Sequence, residues 1–234
     1  MKRFLIMSIL AGTLSACGGG GGGSTSTVTS PTAPVLPTNT VVTVEAYGES
    51  TMVGYGLPAG QDIPTYLASM LCRCHNVNVI NNGVPSTTAQ QMFTGTDGKN
   101  LPWNQQMSSS NAKLIVLNRG INEPFNNISQ AAFKATMTDV IRIARQFNKI
   151  VVLQTPNPTF TGGSLDAGVD LSAQTIRDLG RELNVPVDDA NQRIKNMLTA
   201  GGTVANLYHD TIHPGNVIYI EMARGLATII DPLL

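Results

Sequence analysis

Charge of either sign is scarce in this sequence: Asp, Glu, Lys and Arg make up 13% of it, and 15 basic side chains stand against 15 acidic ones. Nothing in so balanced a chain attracts a phosphate backbone, so nucleic acid is excluded as an expected partner. The apolar stretch at residues 4–14 is too short to span a membrane. Cysteine is limited to three residues. Cys72-Arg73-Cys74-His75 has no second Cys/His pair at zinc spacing, so no metal is expected, and a Cys72–Cys74 bridge across one residue would be strained. Also missing are a Gly-x-Ser-x-Gly elbow, a His-Glu-x-x-His pair and a phosphate-binding loop ending in Lys. The run Gly54-Tyr55-Gly56-Leu57-Pro58-Ala59-Gly60 misses the dinucleotide fingerprint, because its last glycine comes one residue late and Pro58 interrupts it. No cofactor is therefore expected.

The first residues read as an address. Met1-Lys2-Arg3, the apolar stretch 4–14 and then Ser15-Ala16-Cys17 combine a basic head, a short apolar segment and small residues, which describes a cleaved export signal over 1–16. Leu14-Ser15-Ala16-Cys17 resembles the lipobox of bacterial lipoproteins, and that resemblance implies thioether lipidation of Cys17 after cleavage before it. Gly18 in the next position resembles lipoproteins sent on to the outer membrane, which makes a membrane the expected partner through the anchor. Residues 17–40 are rich in Gly, Ser, Thr and Pro, cannot bury enough apolar surface to fold, and read as a tether. Residues 41–234 remain for one folded domain.

Within that domain short β-branched runs alternate with longer helical patterns, which predicts βαβ units and a mostly parallel sheet. Strands are expected at 41–46, 77–80, 114–117, 150–153 and 185–187. The run 114–117, Leu-Ile-Val-Leu, is apolar throughout and suits a central strand covered on both faces. Helices are expected at 62–71, 129–147, 171–183 and 217–230; in the second, Phe133, Met137, Val140, Ile141 and Ala144 fall on one face. The prolines of Thr155-Pro156-Asn157-Pro158 cannot donate to a ladder and stop the fourth strand. Right-handed crossovers fold this order into an α/β/α sandwich with its chemistry beyond the carboxyl ends of the strands.

Three chemically loaded segments follow strands: Gly48-Glu49-Ser50, Asn81-Asn82-Gly83 and Gly120-Ile121-Asn122-Glu123. A fourth, Asp210-Thr211-Ile212-His213-Pro214, precedes the last helix. Acyl transfer needs a nucleophile, a base, a group that orients the base, and donors aimed at a developing oxyanion. Ser50 is the candidate nucleophile, His213 the base, and Asp210, three residues before it, the orienting carboxylate. The N–H groups of Ser50 and Gly83 and the Asn122 amide are the candidate oxyanion donors, Gly83 because a residue without Cβ permits close approach. Taken singly, each residue has a plainer reading as a turn or cap residue. His209 is a rival base whose adjacency to Asp210 points it away, and His75 reads as a polar turn residue.

The order Gly-x-Ser, Gly, Gly-x-Asn, Asp-x-x-His resembles the SGNH, or GDSL-type, hydrolase superfamily over nearly the whole folded part. The resemblance implies a flavodoxin-like three-layer α/β/α sandwich with about five parallel strands. It also implies a serine esterase with the triad Ser50, Asp210 and His213 and the oxyanion hole Ser50, Gly83 and Asn122. Two departures stand out: Glu49 replaces the family's usual Asp before the serine, and Glu123 replaces the Asp after the asparagine. For substrate, Trp103 with Asn104, Gln105 and Gln106 forms a candidate sugar platform, and Met52, Leu57, Phe93 and Phe125 a candidate acyl pocket, against the plainer reading that each packs the core. An envelope location and the polar loop 94–111 point to short acyl groups, such as acetyl on polysaccharide. The rivals are a lipid esterase, lysophospholipase or thioesterase, an acyltransferase with the same acyl-enzyme, and an inactive surface-binding lipoprotein. No obligatory protein partner is indicated.

Overall fold

The computed structural model of the protein describes residues 40–72 and 75–234. The expected leader, Cys17, the tether up to residue 39 and Cys74 lie outside the described residues. In chain order the elements are β1 (Val42–Tyr47), α1 (Ile63–Leu71), β2 (Val77–Asn81), α2 (Ala89–Thr94), α3 (Trp103–Ser109), β3 (Leu114–Asn118) and α4 (Asn122–Phe125). They continue with α5 (Gln130–Gln146), β4 (Ile150–Gln154), α6 (Ser164–Leu183), β5 (Val187–Asp188), α7 (Ala190–Thr199), α8 (Val204–Leu207) and α9 (Asn216–Ile230). The five strands are all parallel in the order β2-β1-β3-β4-β5. This is the expected flavodoxin-like α/β/α sandwich, and its strand order reverses beside β1, where a crevice opens beyond the carboxyl ends of β1 and β3.

Alternation along the strands divides the core. Leu114 and Val116 of β3 join Val44, Ala46 and Val152 against α1 and α9 through Ile63, Leu67, Ile218, Met222 and Leu226. Ile115 and Leu117 point to the other face, where Phe133, Met137 and Val140 of α5 and Ile176 and Leu179 of α6 cover them. Because both faces are covered, β3 is fully buried, as its unbroken apolar run predicts.

The structure departs from expectation in the polar loop 94–111, which contains α3. Trp103, read as a candidate sugar platform, is fully buried, donates its indole N–H to the Val140 carbonyl at 2.9 Å and meets the Tyr47 ring edge-on. It belongs to the core and has no surface to offer a sugar. The sixth helix begins at Ser164, earlier than expected, and its polar first turns are held by a contact their composition hides: a Cβ at Gly168 would come within 2.7 Å of the Pro124 ring. His75 is a half-buried turn residue whose Nε2 lies 2.9 Å from Asp231 Oδ1. No described helix is long and apolar enough to cross a membrane.

Candidate active site

The segment after β1 coils at once into a turn, with Met52 N–H donating to the Glu49 carbonyl and Tyr55 N–H to the Ser50 carbonyl. Gly48 is required here by crowding: a Cβ would sit 2.5 Å from Met52 Cβ and 3.0 Å from the Asn118 carbonyl oxygen. The turn presents Ser50 Oγ to His213 Nε2 at 3.0 Å, although 163 residues separate them in the chain. His213 Nδ1 in turn lies 2.8 Å from Asp210 Oδ2. The other Asp210 oxygen accepts the N–H groups of Ile212 and His213 at 2.7 and 2.6 Å, which fixes the carboxylate inside its own loop. Burial pushes the Asp210 carboxyl up, but these hydrogen bonds and the His213 ring outweigh it and hold the group below its usual range. Asp210 therefore stays ionised and can hold the imidazole in one tautomer.

The base loop is closed by a bridge between Tyr208 and Pro214 and tied from below by the segment after β4. Phe160 N–H donates to the Thr211 carbonyl at 2.7 Å, and Tyr208 Oη to the Pro158 carbonyl at 2.8 Å. Asn157, fully buried, connects both halves of the site: its Oδ1 accepts from Thr51 Oγ1 at 3.0 Å and its Nδ2 donates to the Ile212 carbonyl at 2.9 Å. One side chain thus spans from the neighbour of the nucleophile to the neighbour of the base. The Tyr55 ring lies over the His213 imidazole with centroids 4.2 Å apart. The rival His209 packs against Gly56, while Asp210 faces His213.

A cleft of about 190 Å³ opens over Ser50 and His213, lined by Tyr55, Pro85, Ser86, Ile121, Asn122, Phe125 and Ile212. Asn122 stands where the sequence places it. Its Nδ2 donates one hydrogen to the Thr87 carbonyl at 2.9 Å, which leaves the second for a ligand. Gly83 does not stand there. It is absent from the cleft wall, its N–H is spent on Asn81 Oδ1 at 3.0 Å, and a Cβ would strike Val53 and Met52 at 2.9 and 3.1 Å. Its missing side chain makes room for the nucleophile turn and not for a substrate. Three residues on, Ser86 lines the cleft with φ of 60°, a left-handed conformation unusual for a serine, and its N–H and that of Ser50 hydrogen-bond nothing among the described residues. Of the candidate acyl-pocket residues, Phe125 is on the wall, Met52 is fully buried beneath the nucleophile turn, and Leu57 and Phe93 pack against the core.

The family model described as "GDSL-like Lipase/Acylhydrolase family" matches residues 46–219. No curated protein matches the sequence. Among solved structures, the chain is similar to a lipolytic protein of the G-D-S-L family from Veillonella parvula DSM 2008, with 19% identity, TM-score 0.68, and coverage of 80% of this chain and 97% of that one. It is also similar to Axe2, an acetylxylan esterase from Geobacillus stearothermophilus, with 15% identity, TM-score 0.69, and coverage of 81% and 94%. A third is LAE5, an alpha/beta hydrolase enzyme from the metagenome of Lake Arreo, Spain, with 15% identity, TM-score 0.67, and coverage of 81% and 96%. At these identities the structural likenesses speak for the fold.

Proposed function

The chain belongs to the GDSL-like lipase/acylhydrolase family, and from that premise we propose that it is a serine esterase that removes short acyl groups, acetyl above all, from carbohydrate. The observation that carries the reading is the unbroken line from Ser50 Oγ to His213 Nε2 at 3.0 Å and from His213 Nδ1 to Asp210 Oδ2 at 2.8 Å. His213 takes the Ser50 proton as Oγ forms its bond to the ester carbonyl carbon, and the carbonyl π pair moves onto oxygen. The oxyanion faces the Asn122 amide and the N–H groups of Ser50 and Ser86, with Ser86 in place of Gly83. Collapse of the tetrahedral adduct breaks the bond to the alcohol, which leaves with the proton held by His213. Water then attacks the acyl-enzyme by the same route, returns the acid and restores Ser50.

The size of the cleft supports a short acyl group. About 190 Å³ is less than the roughly 300–1,000 Å³ of sites that enclose drug-sized ligands, and Phe125, Ile121 and Ile212 wall it with apolar surface. An acetylxylan esterase of the same fold shows that such a frame serves a carbohydrate ester in another protein. Lipid anchoring through Cys17 and residence at the cell envelope, with 1–16 as signal and 17–40 as tether, belong to the same proposal and rest on sequence alone.

Labelling with a fluorophosphonate followed by adduct mapping tests the nucleophile: modification of Ser50, lost in Ser50→Ala together with esterase activity, is the expected result. Labelling elsewhere would overturn the assignment. A series of chromogenic esters tests the acyl group, with kcat/KM expected to fall from acetate to octanoate; a preference for octanoate would move the protein to the lipid esterases. Incorporation of radiolabelled palmitate, abolished by Cys17→Ser, tests the anchor.

A further inference from the structure

Beneath the cleft lies a charged cluster that the acyl-transfer steps do not use. Glu49, Arg119 and Glu123 are all buried, at 0%, 0% and 1% exposure. Each grips a different strand end or loop. Glu49 Oε1 accepts the Ile121 N–H at 3.2 Å, and Glu123 Oε1 accepts the Ala89 N–H at 2.8 Å. Arg119 Nη1 donates to the Thr87 hydroxyl at 2.9 Å and to the Thr87 carbonyl at 3.2 Å. That carbonyl is the one that also receives the Asn122 amide. The cluster therefore joins the nucleophile turn, the Asn122 loop and the segment that begins at Ser86, the three pieces of chain that supply the oxyanion donors.

Its hydrogen bonding is incomplete in an informative way. Glu49 Oε2, Glu123 Oε2, and Arg119 Nε and Nη2 have no partner among the described residues, and Glu49 Oε2 stands 4.0 Å from Arg119 Nη1, beyond hydrogen-bond reach. Two ionised carboxylates around one guanidinium would leave a net negative charge in a site without water contact. One added proton makes the cluster neutral, and burial favours the neutral form.

We propose that Glu49, Arg119 and Glu123 are positioning residues of the oxyanion pocket, and that the two carboxylates hold one proton between them while the pocket is competent. The proposal rests on the Ser50 reading above. Burial first, and the Glu123 charge second, push the Glu49 carboxyl up to about 8, against the pull of Arg119 and the Ile121 N–H. Burial likewise raises Glu123, offset in part by the Ala89 N–H and Arg119. Among the described residues, the other charged group that reaches the cluster is Asp97, which acts on Arg119 from the loop after α2. Loss of the shared proton places a negative charge one residue from Ser50 and against the Ile121–Asn122 backbone, where it opposes an oxyanion.

The test is the pH dependence of kcat and KM on p-nitrophenyl acetate from pH 6 to 10 for wild type, Glu49→Gln, Glu49→Ala and Glu123→Gln, with Ser50 labelling by fluorophosphonate measured on each at pH 7. Wild-type kcat is expected to fall about tenfold per pH unit above a midpoint near 8, with KM moving less than about twofold. Glu49→Gln, an isostere of the protonated acid, is expected to keep kcat at pH 7 within about threefold and to lose the alkaline limb, while Glu49→Ala loses roughly tenfold or more at unchanged KM. Glu123→Gln removes the second carboxylate, so the limb disappears there too, and either glutamine variant decides the matter if the other does not fold. A limb that persists unchanged in a folded glutamine variant, or equal losses for Glu49→Gln and Glu49→Ala at pH 7, overturns the proposal while Ser50 labels normally. Failure of wild-type Ser50 to label instead overturns the reading beneath it.

Discussion

Replacing Asn157 with alanine separates the assembly of the site from its chemistry. The side chain touches none of the reacting atoms, yet it bridges Thr51, next to the nucleophile, and Ile212, next to the base. In Asn157→Ala the fully buried Thr51 hydroxyl loses its acceptor and the carbonyl of the half-buried Ile212 loses its donor. At about 1–3 kcal/mol for a buried group left unpaired, and less for the Ile212 carbonyl beside the cleft, the fold should lose about 1–4 kcal/mol, read from urea denaturation. Activity should fall further than stability requires. With the strut gone, the Phe160 and Tyr208 hydrogen bonds remain to tie the base loop to the segment below among the described residues, and a displacement near 1 Å at the 3.0 Å Ser50–His213 contact costs about 10²-fold. The expected pattern is kcat down about 10²-fold with KM within a factor of a few, and Thr51→Val adding little in the Asn157→Ala background because both act through one bond. A well-folded Asn157→Ala enzyme with kcat within twofold of wild type would refute the strut, whatever its stability.

Removal of the Asn122 amide in Asn122→Ala should lower kcat by about 10²–10³, the usual loss for one oxyanion donor; full activity on an ester the wild type demonstrably turns over would strip Asn122 of that role. Gly48→Ala forces a Cβ to within 2.5 Å of buried Met52 Cβ, so it should cost about 1–3 kcal/mol of stability and disturb the nucleophile turn; a neutral melting temperature would show that the turn relaxes freely. Glu49 also makes a stability prediction. Its folded carboxyl, raised to about 8 against about 4.3 in the unfolded chain, contributes stability that is full below the lower value and is lost as pH climbs to the upper one. The melting temperature of Glu49→Gln should therefore gain on wild type between pH 5 and pH 8, and a constant difference across that range would contradict a raised Glu49.

The parts of the fold that were legible in the sequence are those whose burial is periodic. Strands β1 to β4 and α1, α5 and α9 carry apolar stripes, so tertiary packing and local pattern agree and only their ends shift by a residue or so, whereas β5, expected at 185–187, is the two-residue Val187–Asp188, too short for a pattern to fix its bounds. Helix α3 was hidden because its sequence is polar around Trp103 and Met107, the two residues that reach the core, and α7 likewise buries little beyond Ala190 and Ile194. The site divides in the same manner. Ser50, Asn122, Asp210 and His213 are residue types whose chemistry announces itself, and the structure brings them together. Gly83 lacks a side chain because Met52 and Val53 crowd it, a contact about 30 residues away in the chain that no local pattern reports. Ser86 escaped for the converse reason. A left-handed backbone is readable when a glycine stands there, and a serine conceals it; the one local signal was Pro85, which keeps an amide hydrogen from the position before and so leaves the Ser86 N–H as the next donor facing the cleft. The Pro-Asn-Pro context of Asn157 reports a strand end, which is true of its backbone and silent about its amide. Asn157 and Gly83 work through partners distant in sequence, so a single chain reveals the groups that react more readily than the groups that hold them in register.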